Sequence, residues 1–313
     1  HATFRDLGFI ARNDGSFSVY CAGGLGPNPK LGVWITDHVC PSEISFYISA
    51  MIRLFTTYGN YESRAKSRTR YLQDTLGAEE IRKQFLAFVE QAKAEEEAWP
   101  IPSLQPITKK GNGTISGKRI IPQKQDGLYA VSYHPIGGCL PPQTLIQLYQ
   151  TIKDMPQTEI RISPDGTLYT SVCCIGSSIC QHGLRNSQGL LNSCIMRVRQ
   201  EAFPDGVLPR IHISGCPSSC GSHQAASIGL VGHSKKIDGV MLSAFKVLIN
   251  GCEQNPGSRL GTECGILLES VIPEFFVALG HLVEKSNLSF YQWFPDHQDE
   301  LKQLILEYAE KTE

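Results

Sequence analysis

Two groups of cysteines carry the clearest chemical potential in this chain. Ser171-Val-Cys-Cys-Ile-Gly-Ser-Ser-Ile-Cys180 holds three, and His212-Ile-Ser-Gly-Cys-Pro-Ser-Ser-Cys220 holds two. Cys174 and Cys180 are separated by five residues that include Gly176 and two serines, a loop able to curl two sulfurs toward one point. Cys216 and Cys220 stand four positions apart with Pro217 between them. Proline suits the first turn of a helix, so the spacing predicts Cys216 at a helix cap and Cys220 one turn on, facing the same way. Both thiols would then sit at the positive end of the helix dipole, which favours thiolate, the form that binds metal. Each group follows a strand-like run, so two strand ends could bring four sulfurs together. Four thiolates suit a cubane iron–sulfur cluster. Structural zinc usually shows tighter pairs but is compatible. Buried, unliganded thiols are the third possibility, and Cys173 is an alternative to Cys174.

The elements that must position these groups are legible in outline. Phe17–Cys21 reads as a strand ending in the glycine run Gly23-Gly24-Leu25-Gly26-Pro27. Ser42 reads as an N-cap, followed by Ile44, Ile48, Met51, Leu54, Phe55 and Tyr58 at helical spacing, with Gly59 closing the helix. A second helix is expected over 61–76, carrying Arg64, Lys66, Arg68 and Arg70, and a third over 78–97. Residues 99–125 lose periodicity, with four prolines, and read as a linker. Strands are expected at 128–133, 159–162, 168–172, 210–213 and 244–249. Helices are expected at 142–152, 178–200, 273–284 and 296–311. Interleaved strands and helices give an α/β or α+β class.

Composition bounds the function. The 313 residues suit about two domains. With 41% apolar and 19% charged residues, the chain is no disordered segment. A net charge of −1 argues against global attraction to nucleic acid or an anionic membrane, and no apolar run is long enough to span a bilayer. Eleven cysteines, an odd count in a chain this long, fit a reducing compartment, the cytoplasm, better than a disulfide scaffold. Cys21, Cys40, Cys139, Cys252 and Cys264 are scattered and read as small buried hydrophobes.

The pattern Cys174-x5-Cys180, then Gly215-Cys-Pro-Ser-Ser-Cys220 with its Ser227-Ile-Gly-Leu-Val-Gly232 tail, resembles the siroheme- and 4Fe-4S-dependent nitrite and sulfite reductases. Asp6-Leu-Gly-Phe-Ile-Ala11, the glycine run after Tyr20, the Gly59 turn and the basic stretch Arg64–Arg70 also resemble that family, as do Val131–Gly138 and Glu159–Ile162. The resemblance implies residues 1–97 as the end of a first siroheme-binding half-domain. It further implies 98–167 as a linker plus a second ferredoxin-like half-domain, and 168–313 as the second siroheme/4Fe-4S domain. It also implies a C-terminal fragment of a two-repeat enzyme, inactive alone, with substrate-holding basic residues upstream of His1.

By the same resemblance Cys174, Cys180, Cys216 and Cys220 ligate a 4Fe-4S cluster, and Cys220 bridges to the siroheme iron. The implied activity is six-electron reduction of nitrite or sulfite with electrons from ferredoxin or a flavoprotein. Secondary cofactor contacts are implied for Arg161, Gly23, Gly24, Lys30 and Ser218, where the family usually has Asn at the last position. Arg161 equally suits a surface strand, and the glycine run a plain strand-end turn. Arg64–Arg70 reads first as a solvated helix face. Of the histidines, His223, three residues after Cys220, is the best candidate to support a cluster ligand. A haem-free iron–sulfur carrier or redox sensor, and a zinc-stabilised binding module, are the competing functions.

Overall fold

The computed structural model describes residues 1–96, 99, 108–111, 113–117, 119–123, 125–133, 135, 140–155, 158, 160 and 171–311. Strands β1 (Leu7–Ala11), β2 (Phe17–Cys21) and β3 (Val33–Val39) form an antiparallel sheet in that order. Helices α1 (Ile44–Tyr58), α2 (Leu72–Thr75) and α3 (Ala78–Ala94) cover it. The core between them joins Val19, Cys21 and Ile35 of the sheet to Ala50, Met51 and Leu54 of α1 and to Ile81, Phe85 and Val89 of α3. These helical positions recur at three- and four-residue spacing, which is why their periodicity is readable in the sequence.

A hairpin of β4 (Ile120–Pro122) and β5 (Tyr129–Val131) follows, then α4 (Pro142–Ile152). Strand β4 lies within the stretch expected to be a linker. Most of the strands expected over 159–162 and 168–172 lies outside the described residues, as do Cys139 and Arg161.

The C-terminal unit is a five-stranded sheet in the order β10-β9-β8-β7-β6. Its strands are β6 (Val172–Cys173), β7 (Ile211–Ser214), β8 (Ile228–Ile237), β9 (Val240–Ile249) and β10 (Thr262–Leu268). β6, β7 and β8 run parallel, whereas β8, β9 and β10 run antiparallel. Helices α5 (Ser187–Val198), α6 (Ile272–Glu284), α7 (Phe290–Trp293) and α8 (Gln298–Glu310) pack on the sheet. All four residues of β7 are buried, as expected for a central parallel strand. No helix among the described residues is long and apolar enough to cross a membrane.

Two expectations are corrected. The helix expected over 61–76 is two 3-10 turns, Arg64–Lys66 and Thr69–Tyr71, running into the short α2. Arg68 is extended between them (φ −145°), and the Thr69 hydroxyl is tied to Asp6, which holds the segment against the first sheet rather than letting it coil. The helix expected from 178 begins at Ser187, because Asn186 caps it by accepting the Gly189 N–H at 2.9 Å. The preceding residues are drawn off to β7, where the Leu184 and Arg185 N–H groups both donate to the Gly215 carbonyl at 3.0 and 2.9 Å. Gly59 closes α1 as expected, with φ −66°, and a Cβ there would strike the Phe55 carbonyl.

A candidate cluster and anion-binding cleft

β6 and β7 are neighbours and parallel, so the loops leaving their C-terminal ends emerge side by side. That is the end of a parallel sheet where ligands usually bind. The Cys174 N–H donates to Ile213 O at 3.0 Å, and the Gly215 N–H points to Cys174 Sγ at 3.1 Å. The Ser187 hydroxyl donates to the Cys174 carbonyl at 2.7 Å and lies 3.2 Å from its sulfur. The vicinal pair is thereby resolved: Cys173 packs into the sheet's core, and Cys174 turns its sulfur to the loops.

The second cysteine loop is not a helix. It is a chain of tight turns with Ser219 (φ +62°) and Ser222 (φ +54°) in the left-handed region. The Gly221 N–H donates to Ser214 Oγ at 3.1 Å, and its carbonyl accepts from His212 Nδ1 at 2.9 Å. Because a carbonyl can only accept, Nδ1 carries the proton. These contacts to β7 pull the loop back onto the sheet, and the helix expected after Pro217 cannot form. The dipole argument for lowered thiols falls with it. Instead the Cys220 thiol is pushed up, first by burial and then by Cys174, Cys216 and Cys180. Cys174, Cys216 and Cys180 thus lie near enough to Cys220 to be felt by its thiol. No three His, Cys, Asp or Glu groups among the described residues have the geometry to hold a single ion.

Not every cysteine takes part. Burial drives the Cys21 and Cys194 thiols up to about 12, so these are inert core residues.

Cys220 opens onto a cleft of about 410 Å³ between the two units. One wall is Ser218, Ser219, Cys220 and Ser222. The other is Gly23, Gly24 and Leu25 of the glycine run, with Arg5, Arg68 and Arg70. The Arg70 Nε is buried without a hydrogen-bond partner, and a Cβ on Gly24 would press on the Arg70 side chain at 3.2 Å. The structure therefore brings Gly23, Gly24, Ser218 and Cys220 to one place. It does not bring Lys30, whose ammonium pairs with Asp74 at 2.8 Å outside the cleft lining: the carboxylate it meets belongs to the protein. Arg5 gave no sequence signal, and Arg68 and Arg70 read as a solvated face.

Residues 1–93 match the family model described as the nitrite and sulphite reductase 4Fe-4S domain. That stretch is similar to the nitrite and sulfite reductase family. A ferredoxin–nitrite reductase of Synechococcus elongatus is 28% identical over 291 residues, covering 80% of this chain and 54% of the relative. A sulfite reductase (ferredoxin) of Mycolicibacterium paratuberculosis is 23% identical over 268 residues, covering 74% and 47%. The chain spans about half the length of these curated relatives. The solved NirA protein of Mycobacterium tuberculosis superposes with a TM-score of 0.63 at 20% identity, covering 96% of this chain and 61% of that one, which shows the nitrite/sulfite reductase fold. The matched residues 1–93 hold only Cys21 and Cys40, so Cys174, Cys180, Cys216 and Cys220 stand outside the match, in the C-terminal unit.

Two buried histidines beneath the cysteine loop make folding pH-dependent. Burial, aided by Arg210, lowers His212 to about 3, and burial with Lys246 lowers His223 to about 4, each from an ordinary 6.5. Both are neutral in the folded protein, so below pH 6.5 the unfolded chain takes up protons first. Their stability contribution is complete above that pH and drains away down to about pH 4 and then 3. The expected loss between pH 7 and 4 is on the order of several kcal/mol. Urea midpoints measured across this range should fall, and His212→Gln should flatten the slope.

Proposed function

We propose that this chain carries the siroheme and 4Fe-4S centre of a ferredoxin-dependent nitrite or sulfite reductase. One observation carries the reading: the exposed Cys220, grouped with three further cysteines, faces a cleft lined by three arginines and a glycine run. The donor set fits a cluster, since the Cys220 thiol, pushed up by burial and by its three cysteine neighbours, needs a multivalent cation to ionise beside them. The cleft fits a carboxylate-rich tetrapyrrole, since Arg5, Arg68 and the buried, unpartnered Arg70 Nε all present donors to it.

When bound, the coupled cofactors would supply the electrons for reducing the anion. The chain's own part is to hold and orient. Cys174, Cys180, Cys216 and Cys220 would hold the cluster, with Cys220 also facing the macrocycle. Gly23 lets the wall pack against the Thr3 carbonyl, which a Cβ would strike at 2.6 Å, and Gly24 leaves room for the Arg70 side chain. Ser218 offers a hydroxyl at the rim, and Arg161 remains a proposed contact. The arginines fix carboxylates and leave a positive field for a small anion. Ferredoxin is the proposed electron donor, as it is for the relatives named above.

Iron, sulfide and pigment analysis of the anaerobically purified full-length protein tests this. About four irons, four acid-labile sulfides and one siroheme per chain are expected. A cluster without extractable siroheme would select the haem-free carrier instead, and one zinc without iron would select a structural zinc module.

A further inference from the structure

The two walls of the cleft belong to different units, so something must set the distance between them. Gln224 stands four residues after Cys220, and its side chain is buried. Its amide closes on both backbone polar groups of a single residue across the gap. The Gly26 N–H donates to Gln224 Oε1 at 3.0 Å, and Gln224 Nε2 donates to Gly26 O at 2.7 Å. Its own backbone carbonyl accepts the Gly261 N–H at 2.7 Å, which anchors the residue in the C-terminal unit. On the other side, Gln73 Nε2 donates to Ala22 O and Leu31 O at 2.8 and 2.7 Å, so the glycine run is itself fixed to the segment that carries Arg70.

Gly26 has φ +120°, and a Cβ there would meet Arg70 Nη2 at 3.1 Å and Ser218 O at 3.8 Å. The Gln224–Gly26 pair therefore sits where the two walls meet. A primary amide is the one neutral side-chain group that offers a donor and an acceptor side by side, matching a peptide edge. With both bonds buried, losing either leaves an unsatisfied backbone group.

We propose that Gln224 is a positioning residue, which sets the spacing between the Cys220 loop and the Gly23–Gly26 wall and so the width of the cleft. The consequence for cofactor retention rests on the function proposed above, but the spacing role does not. Hydrogen exchange on the full chain separates them. In Gln224→Leu the Gly26 amide is expected to exchange at least about tenfold faster, with α3 and α6 unchanged. Iron content should stay at the wild-type level while siroheme retention falls about fivefold or more. Gln224→Glu keeps the acceptor for the Gly26 N–H and should lie between the two, which serves if the leucine variant does not fold. Unchanged exchange at Gly26, or a uniform rise across the chain, overturns the positioning role. Siroheme retained at wild-type level despite faster Gly26 exchange overturns the link to cleft width. Wild-type protein that binds no siroheme defeats the underlying functional reading while leaving the exchange result to stand.

Discussion

Cys220→Ser is expected to abolish cluster loading, with iron falling from about four per chain to below about one, and to remove any cluster–haem coupling in the same step. The physical case is local. Cys220 is the one thiol of the four that both feels the other three and lines the cleft. Serine keeps the shape but not the soft, ionisable sulfur, and an alkoxide is far harder to form than a thiolate. Cys40→Ser supplies the contrast. That thiol is exposed and lies in the first unit, remote from the loops, so iron content and visible absorbance should be unchanged. Metal analysis and absorbance of the two variants, prepared side by side without oxygen, decide the matter. Equal loading in both would sink the proposed ligand set.

Gly215→Ala should be nearly as damaging, by a different route. A Cβ at this position would stand 2.5 Å from the Arg185 carbonyl and 3.1 Å from the Gly176 Cα. Both neighbours are backbone, so no side chain can swing aside. Gly215 also serves both loops: its N–H points to Cys174 Sγ, and its carbonyl accepts from Leu184 and Arg185. Forcing the loops apart should cost about 2–4 kcal/mol and misplace Cys174 relative to Cys216. Thermal unfolding should show the loss, and reconstitution should recover less than about half the wild-type iron. A variant of unchanged stability that loads fully would show that the two loops can separate freely.

How much of this was legible depends on how local each cause is. The bodies of α1 and α3 were readable, because a buried stripe repeats at the period of the element. One local signal went unread. Asp238-Gly239 joins β8 to β9 with both residues at positive φ (48° and 85°), the pairing that favours a two-residue hairpin turn. Other features had no local signature. Pro217 is as acceptable in a tight turn as in the first turn of a helix. What decided between them was Ser214 and His212 gripping the Gly221 peptide from β7. The break in the basic segment was likewise decided from outside it, by Asp6.

The sequence by itself determined the chemistry on offer. The types and spacing of Cys174, Cys180, Cys216 and Cys220 name a four-thiol donor set, and their motifs carry the family resemblance, because ligand identity resides in side chains. Tertiary structure alone decided what those thiols face. Parallel pairing of β6 with β7 brought two distant loops to one sheet end. The contact between units then turned Arg5, Arg68 and Arg70 from surface charge into one wall of a cleft. Lys30, equally basic, was left outside it because Asp74 claimed its charge first. Charge and spacing along a chain do not encode which residues meet across a gap; that follows only from how the two units pack.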